Sequence, residues 1–573
     1  MDEQNYILEQ SIAELDKLLN LSANETDKAA CEAIAKKAKI IYEQFPESEE
    51  IALRYARILV NLSSKQENVE ERLNTANSVK EIFDRFNQSE GIAILYAFAL
   101  SYLSVEQVNV EERLNTANSV KEIVESFKQS EDIALRYAMA LVNLSAKQEN
   151  VEELRNTANS VKEIVESFKQ SEDIALRYAM ALVNLSAKQE NVEERLNTAN
   201  SVKEIFESFK QSEDIALRYA KALVNLSAKQ ENVEERLNTA NSVKEIFESF
   251  KQSEDIALRY AMALVYMSGK QKSVEERLNT ANSVKEIFES FKQSEDIALR
   301  YAKALVNLSA KQENVEERLN TANSVKEIFE SFKQSEDIAL RYAKALVNLS
   351  AKQENVEERL NTANSVKEIF DRFNQSEGIA ILYAFALSYL SVEQVNVEER
   401  LNTANSVKEI FDRFKQSEVI ASLYSIVLFN LSAIQENVEE RLNTANSVKE
   451  IFELFNQSED IALQYAKALV YMSGKQKSVE ERLNTANSVK EIFESFKQSE
   501  DIALRYAMAL VNLSAKQENV EERLNTANSV KEIFELFNQS ETIALQYAKA
   551  LVNLSSKQEN VEERLNTANS VKE

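Results

Sequence analysis

Histidine and tryptophan are absent from this chain of 573 residues, which holds one cysteine, one proline and four glycines. Lacking histidine, it has neither the usual general base nor the commonest metal ligand. The single thiol, Cys31, can form no internal disulfide and builds no thiolate zinc site; it reads as a small buried residue on an N-terminal helix. So few glycines leave no phosphate-binding loop, and with one proline they rule out the turn punctuation of an all-β protein. No apolar run is long enough to span a bilayer. Basic charge is the minority sign, with 68 Lys and Arg against 94 Asp and Glu for a net charge of -26. That balance argues against nucleic acid, which demands clustered cations. The start, Met1-Asp2-Glu3-Gln4-Asn5, carries no signal-peptide pattern. A soluble cytoplasmic protein with no enzyme activity, no cofactor, no metal and no membrane partner is expected.

What fills the chain instead is one text of 41 residues. It runs from Ser201 to Asn241 and returns unaltered at 283–323 and 324–364. Its opening serine recurs at 78, 119, 160, 201, 242, 283, 324, 365, 406, 447, 488, 529 and 570, with nothing inserted or deleted between copies. A fixed period of this length means stacked supersecondary units, each unable to bury its apolar face alone. Residues 1–45 lack the repeated text and read as divergent N-terminal capping helices; 46–573 read as tandem repeats, about thirteen counting the unfinished last one. The text stops at Glu573, part-way through a predicted helix, as expected of a truncated chain.

Within copy 201–241, residues 212–230 predict a helix capped by Ser212, with Glu213 and Asp214 in its first turn, where the helix dipole favours anions. Ile215, Tyr219, Ala222, Leu223 and Leu226 share one face, broadened by Ala216 and Ala220. A second helix starts near Asn232, which is spaced with Glu235 like a capping box. Val233, Leu237, Ala240, Val243, Phe247 and Phe250 follow at helical intervals and predict its buried stripe, opposite the solvated Glu234, Glu235, Glu245 and Glu248. Asn238-Thr239-Ala240-Asn241-Ser242 holds four poor helix formers. The stripe keeps its phase across them, which predicts a continuous helix. Near the N-terminus, 26–45 predicts a helix with Ala30, Ile34, Ala38, Ile41 and Phe45 inward, preceded by another over 6–21.

The small-residue pattern Ile-Ala-Leu-Arg-Tyr-Ala-Lys-Ala-Leu at 215–223 resembles the helix packing of tetratricopeptide repeats. So does Ile40-Ile41-Tyr42-Glu43-Gln44-Phe45-Pro46 followed by Ile51-Ala52-Leu53-Arg54-Tyr55-Ala56, with a proline after the second helix. The unit is longer than that family's usual one, and later copies lose the proline. Ala222-Leu223-Val224-Asn225-Leu226-Ser227, followed by Glu231-Asn232, also resembles the last helix of an armadillo repeat, although that family's Gly and Pro are missing. Either resemblance implies an all-α, right-handed superhelical α-solenoid of stacked antiparallel helix pairs. Either also places the helix over 212–230 on the inner, ligand-facing side.

On that helix Asp214, Arg218, Lys221 and Asn225 form a polar stripe. The tetratricopeptide resemblance implies that Asp214, Lys221 and Asn225 touch a peptide ligand; the armadillo resemblance implies that Asn225 holds a peptide backbone. Lys303 with Asn307, and Lys344 with Asn348, repeat the arrangement. An acidic peptide or a C-terminal carboxylate is the ligand such a locally basic groove would take, with a solvated face of i,i+4 pairs such as Asp214 with Arg218 as the alternative. In copy 78–118 the stripe turns apolar, with Leu95, Phe98 and Tyr102. The identical copy 365–405 brings Leu382, Phe385 and Tyr389, and the next brings Val419, Leu423 and Ile426 while keeping Asn430. A stripe turned apolar is either a binding site or a repacked stack. In copy 119–159 the usual Arg-Leu pair is inverted to Leu154-Arg155, which places Arg155 on the predicted core stripe and predicts a weakened junction. Carboxylate pairs such as Glu234-Glu235 recur in nearly every copy and read as helix N-terminal charge, not as catalytic groups. The expected function is a scaffold binding protein or peptide segments in the inner groove. The alternatives are a structural spacer or a regulatory arm of a larger assembly.

Overall fold

The computed structural model describes residues 2–572, with side chains from Asn5 to Val571. Among these residues it is an all-α solenoid of 28 helices without a strand, from α1 (Asp2–Asn24) and α2 (Lys28–Gln44) to α27 (Glu541–Ser555) and α28 (Val561–Lys572). No helix among them is long and apolar enough to cross a membrane. The helices gather into two compact units, Met1–Gln271 with Asn282–Arg300, and Lys272–Ala281 with Tyr301–Glu573. The same helix pair recurs inside each.

Its plan follows from local chemistry. In α11 (Glu213–Lys229) Ser212 is the N-cap and its Oγ accepts from the Ile215 amide at 3.3 Å. In α12 (Val233–Ser249) Asn232 accepts from the amides of Glu234 and Glu235. The short connections 230–232 and 250–253 turn the chain back on itself, so the pair is antiparallel. No described residue has a positive φ. The helices end without left-handed caps, which is why so few glycines suffice. α12 runs unbroken through Asn238–Ser242, as expected. Its poor helix formers are held from the side: Thr239 Oγ1 donates to Gln230 Oε1 at 3.0 Å and Ser242 Oγ to the Asn238 carbonyl at 3.2 Å.

Odd-numbered helices stack directly on one another. In the first unit α3 (Glu49–Ser63) lies on α1, α5 (Glu90–Glu106) on α3, and α7 (Glu131–Ser145), α9 (Glu172–Lys188), α11 and α13 (Glu254–Lys270) continue the row. In the second unit α17 (Glu336–Ser350), α19 (Glu377–Glu393), α21 (Glu418–Ile434), α23 (Glu459–Lys475), α25 (Glu500–Ser514) and α27 do the same. Ala220 and Ala222 are wholly buried and let neighbouring backbones approach. Even-numbered helices flank this row; α12, for example, packs against both α11 and α13. Phe–Tyr ring pairs tie the layers, Phe206 with Tyr219 at 5.8 Å and Phe411 with Tyr424 at 5.7 Å between centroids.

Two expected faces are rotated. The buried line of α12 is Arg236, Thr239, Ala240, Val243 and Ile246, whereas Leu237 is 44% exposed. Arg236 goes inward because it satisfies two backbone carbonyls: Nε donates to Gln230 at 2.6 Å and Nη1 to Tyr266 of the next odd helix. In the inverted copy, within α8 (Val151–Ser167), Leu154 takes the buried place and Arg155 stays outside, paired with Glu152 at 2.8 Å and Glu194 at 3.2 Å. Arg155 is therefore not on the core stripe. In α2 Ala38 is inward as expected, but the buried residues beside it are Cys31 and Ala35 rather than Ala30 and Ile34. Cys31 is buried, as read.

Candidate partner-binding face

Every residue of α11 from Ile215 to Ser227 is buried except Arg218, Lys221 and Asn225. With the exposed Asp214 they are the open line of the helix. The four do not share one role. Asn225 is turned into the stack: its Nδ2 donates to Ser186 Oγ of the preceding odd helix at 2.8 Å, and its carbonyl accepts from Arg195. Asn348 donates to Ser309 Oγ at 2.8 Å, and Asn430 to Ser391 Oγ at 2.8 Å. Asn307 accepts through its carbonyl from Arg277. These asparagines stitch repeat to repeat, so the amide nitrogens of Asn225 and Asn348 are spent within the stack. Lys221 and Lys303 are half-buried and Lys344 is exposed. Burial holds the Lys221 ammonium below its usual range, and Arg218 and Arg259 nearby add to the effect. The alternative pairing of Arg218 with Asp214 is not made within 4 Å.

The apolar substitutions also divide. Leu95, Leu382 and Leu423 lie inside, at 5%, 6% and 4% exposure, not on the open face. A leucine is too short to cross the seam between odd helices that the consensus arginine reaches over. Phe98, Tyr102, Phe385, Tyr389 and Ile426 are half-buried on the open line.

Phe98 and Phe385 belong to identical copies, yet their neighbours differ. Beside Phe98 the next odd helix supplies Arg136, whose guanidinium carbon sits 3.5 Å above the ring centroid. Tyr102 has Arg72 at 5.9 Å from its ring centroid. Beside Phe385 the residue in the place of Arg136 is Leu423, so no guanidinium covers the ring. The apolar surface instead continues onto α21, with Val419 at 46% exposure, Ile426 and Phe429. Phe429 meets Tyr471 of α23 edge-on at 5.3 Å, under Lys467 Nζ at 5.6 Å. Burial, with Arg505 second, pushes that ammonium down. Phe429 and Tyr471 were not among the residues expected from the sequence. Each stands where the consensus has Val224 and Asn225, so aligning those two positions would have found them.

No family model matches this chain, and no curated protein matches it. Solved structures align with it at low identity. One, from work on a phosphorylation switch controlling the interaction between cadherin and β-catenin, aligns at 11% identity over 95% of this chain and 99% of the other, with a TM-score of 0.39. A chain of Naa15/Naa10 bound to HypK-THB aligns at 9% over 98% and 96%, with a TM-score of 0.30. A chain of the APC/C hetero-tetramer Cut9-Hcn1 aligns at 11% over 94% and 96%, with a TM-score of 0.32. Scores this low set no family above another.

Elsewhere, a crevice of about 400 Å³ between α10 (Val192–Ser208) and α12 is lined by Phe206, Tyr219, Glu207 and Lys210. It follows consensus text and so singles out no copy. The surface that consensus does not produce is the one formed by Phe385, Tyr389, Val419, Ile426, Phe429 and Tyr471.

Proposed function

We propose that this protein is a non-enzymatic interaction scaffold built of tetratricopeptide-like units, and that it grips a partner segment on the open face of α19, α21 and α23. Two helices per 41-residue unit favour that repeat type over a three-helix armadillo unit. The observation that carries the binding site is the contrast between identical copies. The same text is capped by Arg136 in one place and left open in another, where three successive helices join into one apolar surface. Apolar surface of this kind, rimmed by polar residues, marks interaction sites. Lys344 on α17 and Lys467 on α23 border it, so the partner segment that fits carries apolar anchors between acidic residues.

Substitution tests it. Phe385→Lys with Ile426→Lys is expected to abolish capture of a partner from source extract while helicity and melting stay unchanged. Phe98→Lys, in the same text but under Arg136, is the matched control and is expected to leave capture intact. Unfolding of the double variant would mean that the side chains only fill the stack, and equal loss in the control would remove the site assignment. A structural spacer is the second reading. The three unaltered copies and the internal use of Asn225 and Asn348 favour it.

A further inference from the structure

The first unit carries a different surface on the same face. Arg177 on α9, Arg218 on α11, Arg259 on α13 and Arg300 on α15 (Glu295–Ser309) stand at one position of successive odd helices. In a chain of net charge -26, arginines are expected to find carboxylates. These do not: none forms an ion pair within 4 Å, and the Nε of each is buried without a hydrogen-bond partner. Arg177 and Arg259 reach only the sulfurs of Met180 and Met262, at 3.4 and 3.3 Å. Burial depresses both guanidiniums; Asp173 and Asp255 on their own helices partly oppose this, and the neighbours in the row, Arg218 beside Arg177 and Arg300 with Arg218 beside Arg259, add to it. Asp173, Asp214, Asp255 and Asp296 line the same face one turn away. They sit in the first helical turns, where the helix N-terminus already offsets their charge. The row of guanidiniums therefore stands near carboxylates without pairing directly with any of them.

We propose that this arginine row takes an extended acidic segment of a partner protein, laid across the odd helices with one carboxylate per repeat. The geometry sets its sequence period. Helices packed through alanine stand about 8–10 Å apart, and a chain extended in the polyproline II form advances about 3.1 Å per residue and brings every third side chain to the same face. One carboxylate per arginine therefore requires an acidic side chain at every third residue. A helical ligand fails this match, because its i,i+3 rise is only about 4.5 Å. The proposal rests on the reading that the odd-helix face binds partner segments, and it concerns the first unit only.

Fluorescence anisotropy on the full chain tests it, with a labelled Glu-Ser-Ser repeat peptide spanning four odd helices and a scrambled peptide of the same composition. The periodic peptide is expected to bind about tenfold more tightly than the scrambled one, and to weaken as salt rises. Arg177→Gln with Arg218→Gln and Arg259→Gln is expected to remove that difference without moving the melting temperature, because these guanidiniums hold no carboxylate in the fold and two of them only a weakly accepting methionine sulfur. Phe385→Lys with Ile426→Lys is expected to leave it untouched, so failure here and failure of the apolar site are read independently. Equal binding of both peptides, binding unaffected by the triple variant, or no binding at low salt would each overturn the proposal. Loss of both peptides in the triple variant together with lowered melting would assign the arginines to the fold and overturn it as well.

Discussion

At the scale of single residues, the consequential arginine is the one that looks least like a core residue. Arg236 and its equivalents Arg72, Arg113 and Arg195 are buried and bind the carbonyl of a glutamine six residues back, at 2.6 to 2.7 Å for these four. Each also donates to a carbonyl 30 residues on, in the next odd helix. A buried carbonyl left unpaired costs about 1–3 kcal/mol, so one guanidinium outweighs the roughly 2 kcal/mol that a buried leucine contributes. Copy 119–159 gives up this clamp, since Leu154 cannot donate to Gln148 or Asn184. Restoring the consensus, Leu154→Arg with Arg155→Leu, is expected to stabilise that junction by about 1 kcal/mol net, although two exposed ion pairs of Arg155 are lost. Exposed pairs of that kind contribute little. Thermal and urea unfolding check this; an unchanged or lowered midpoint would mean that leucine packing compensates for the missing donor.

At the scale of the helix pair, the ring contact between an even helix and the following odd one has a pH signature. Tyr219, Tyr260, Tyr342, Tyr383 and Tyr424 are buried against phenylalanine, and burial pushes each phenol from 10.0 up to about 12, with nearby glutamates or aspartates adding to it. A raised phenol pKa favours the neutral, folded form, so this stability is intact below pH 10 and is lost as the pH climbs from 10 through about 12. A spectrophotometric titration is expected to show tyrosinate appearing late and together with loss of helical circular dichroism. Full ionisation near pH 10 with helicity retained would contradict it. Helix positions themselves were legible in the sequence, because Ser212 and Asn232 announce the caps and the spacing of Ile215, Tyr219 and Leu226 announces the face. The rotation of α12 was not. Helical periodicity counts Leu237 as inward and leaves Arg236 off the stripe, and only the backbone carbonyls of Gln230 and of Tyr266 in the next repeat reverse the two. The same holds for Asn225, whose partner Ser186 lies 39 residues away.

At the scale of the molecule, the period of 41 residues made the solenoid readable at once, whereas the face that could bind a partner depends on the order of the copies. Phe98 and Phe385 have the same text on both sides, and a reading of one repeat cannot separate them. What separates them is whether the following copy brings Arg136 or Leu423. Stability follows the same nearest-neighbour rule, since each helix pair is held mainly by the copies beside it. α28 packs against α27 alone among the described residues. Its apolar side chains stay open, with Val561 at 80% and Leu565 at 59% exposure against 44% for the equivalent Leu237. Arg564 donates to the Gln558 carbonyl at 2.5 Å, as its equivalents do, but has no second carbonyl among the described residues. Local opening should therefore require the least free energy in α28 and more in helices clasped on both sides. Amide hydrogen exchange is expected to rank protection in that order, with α28 exchanging first and the amides around Val243 and Ile246 of α12 among the last. Protection of α28 equal to that of α12 would show that the helix is held by something other than its neighbours in the stack.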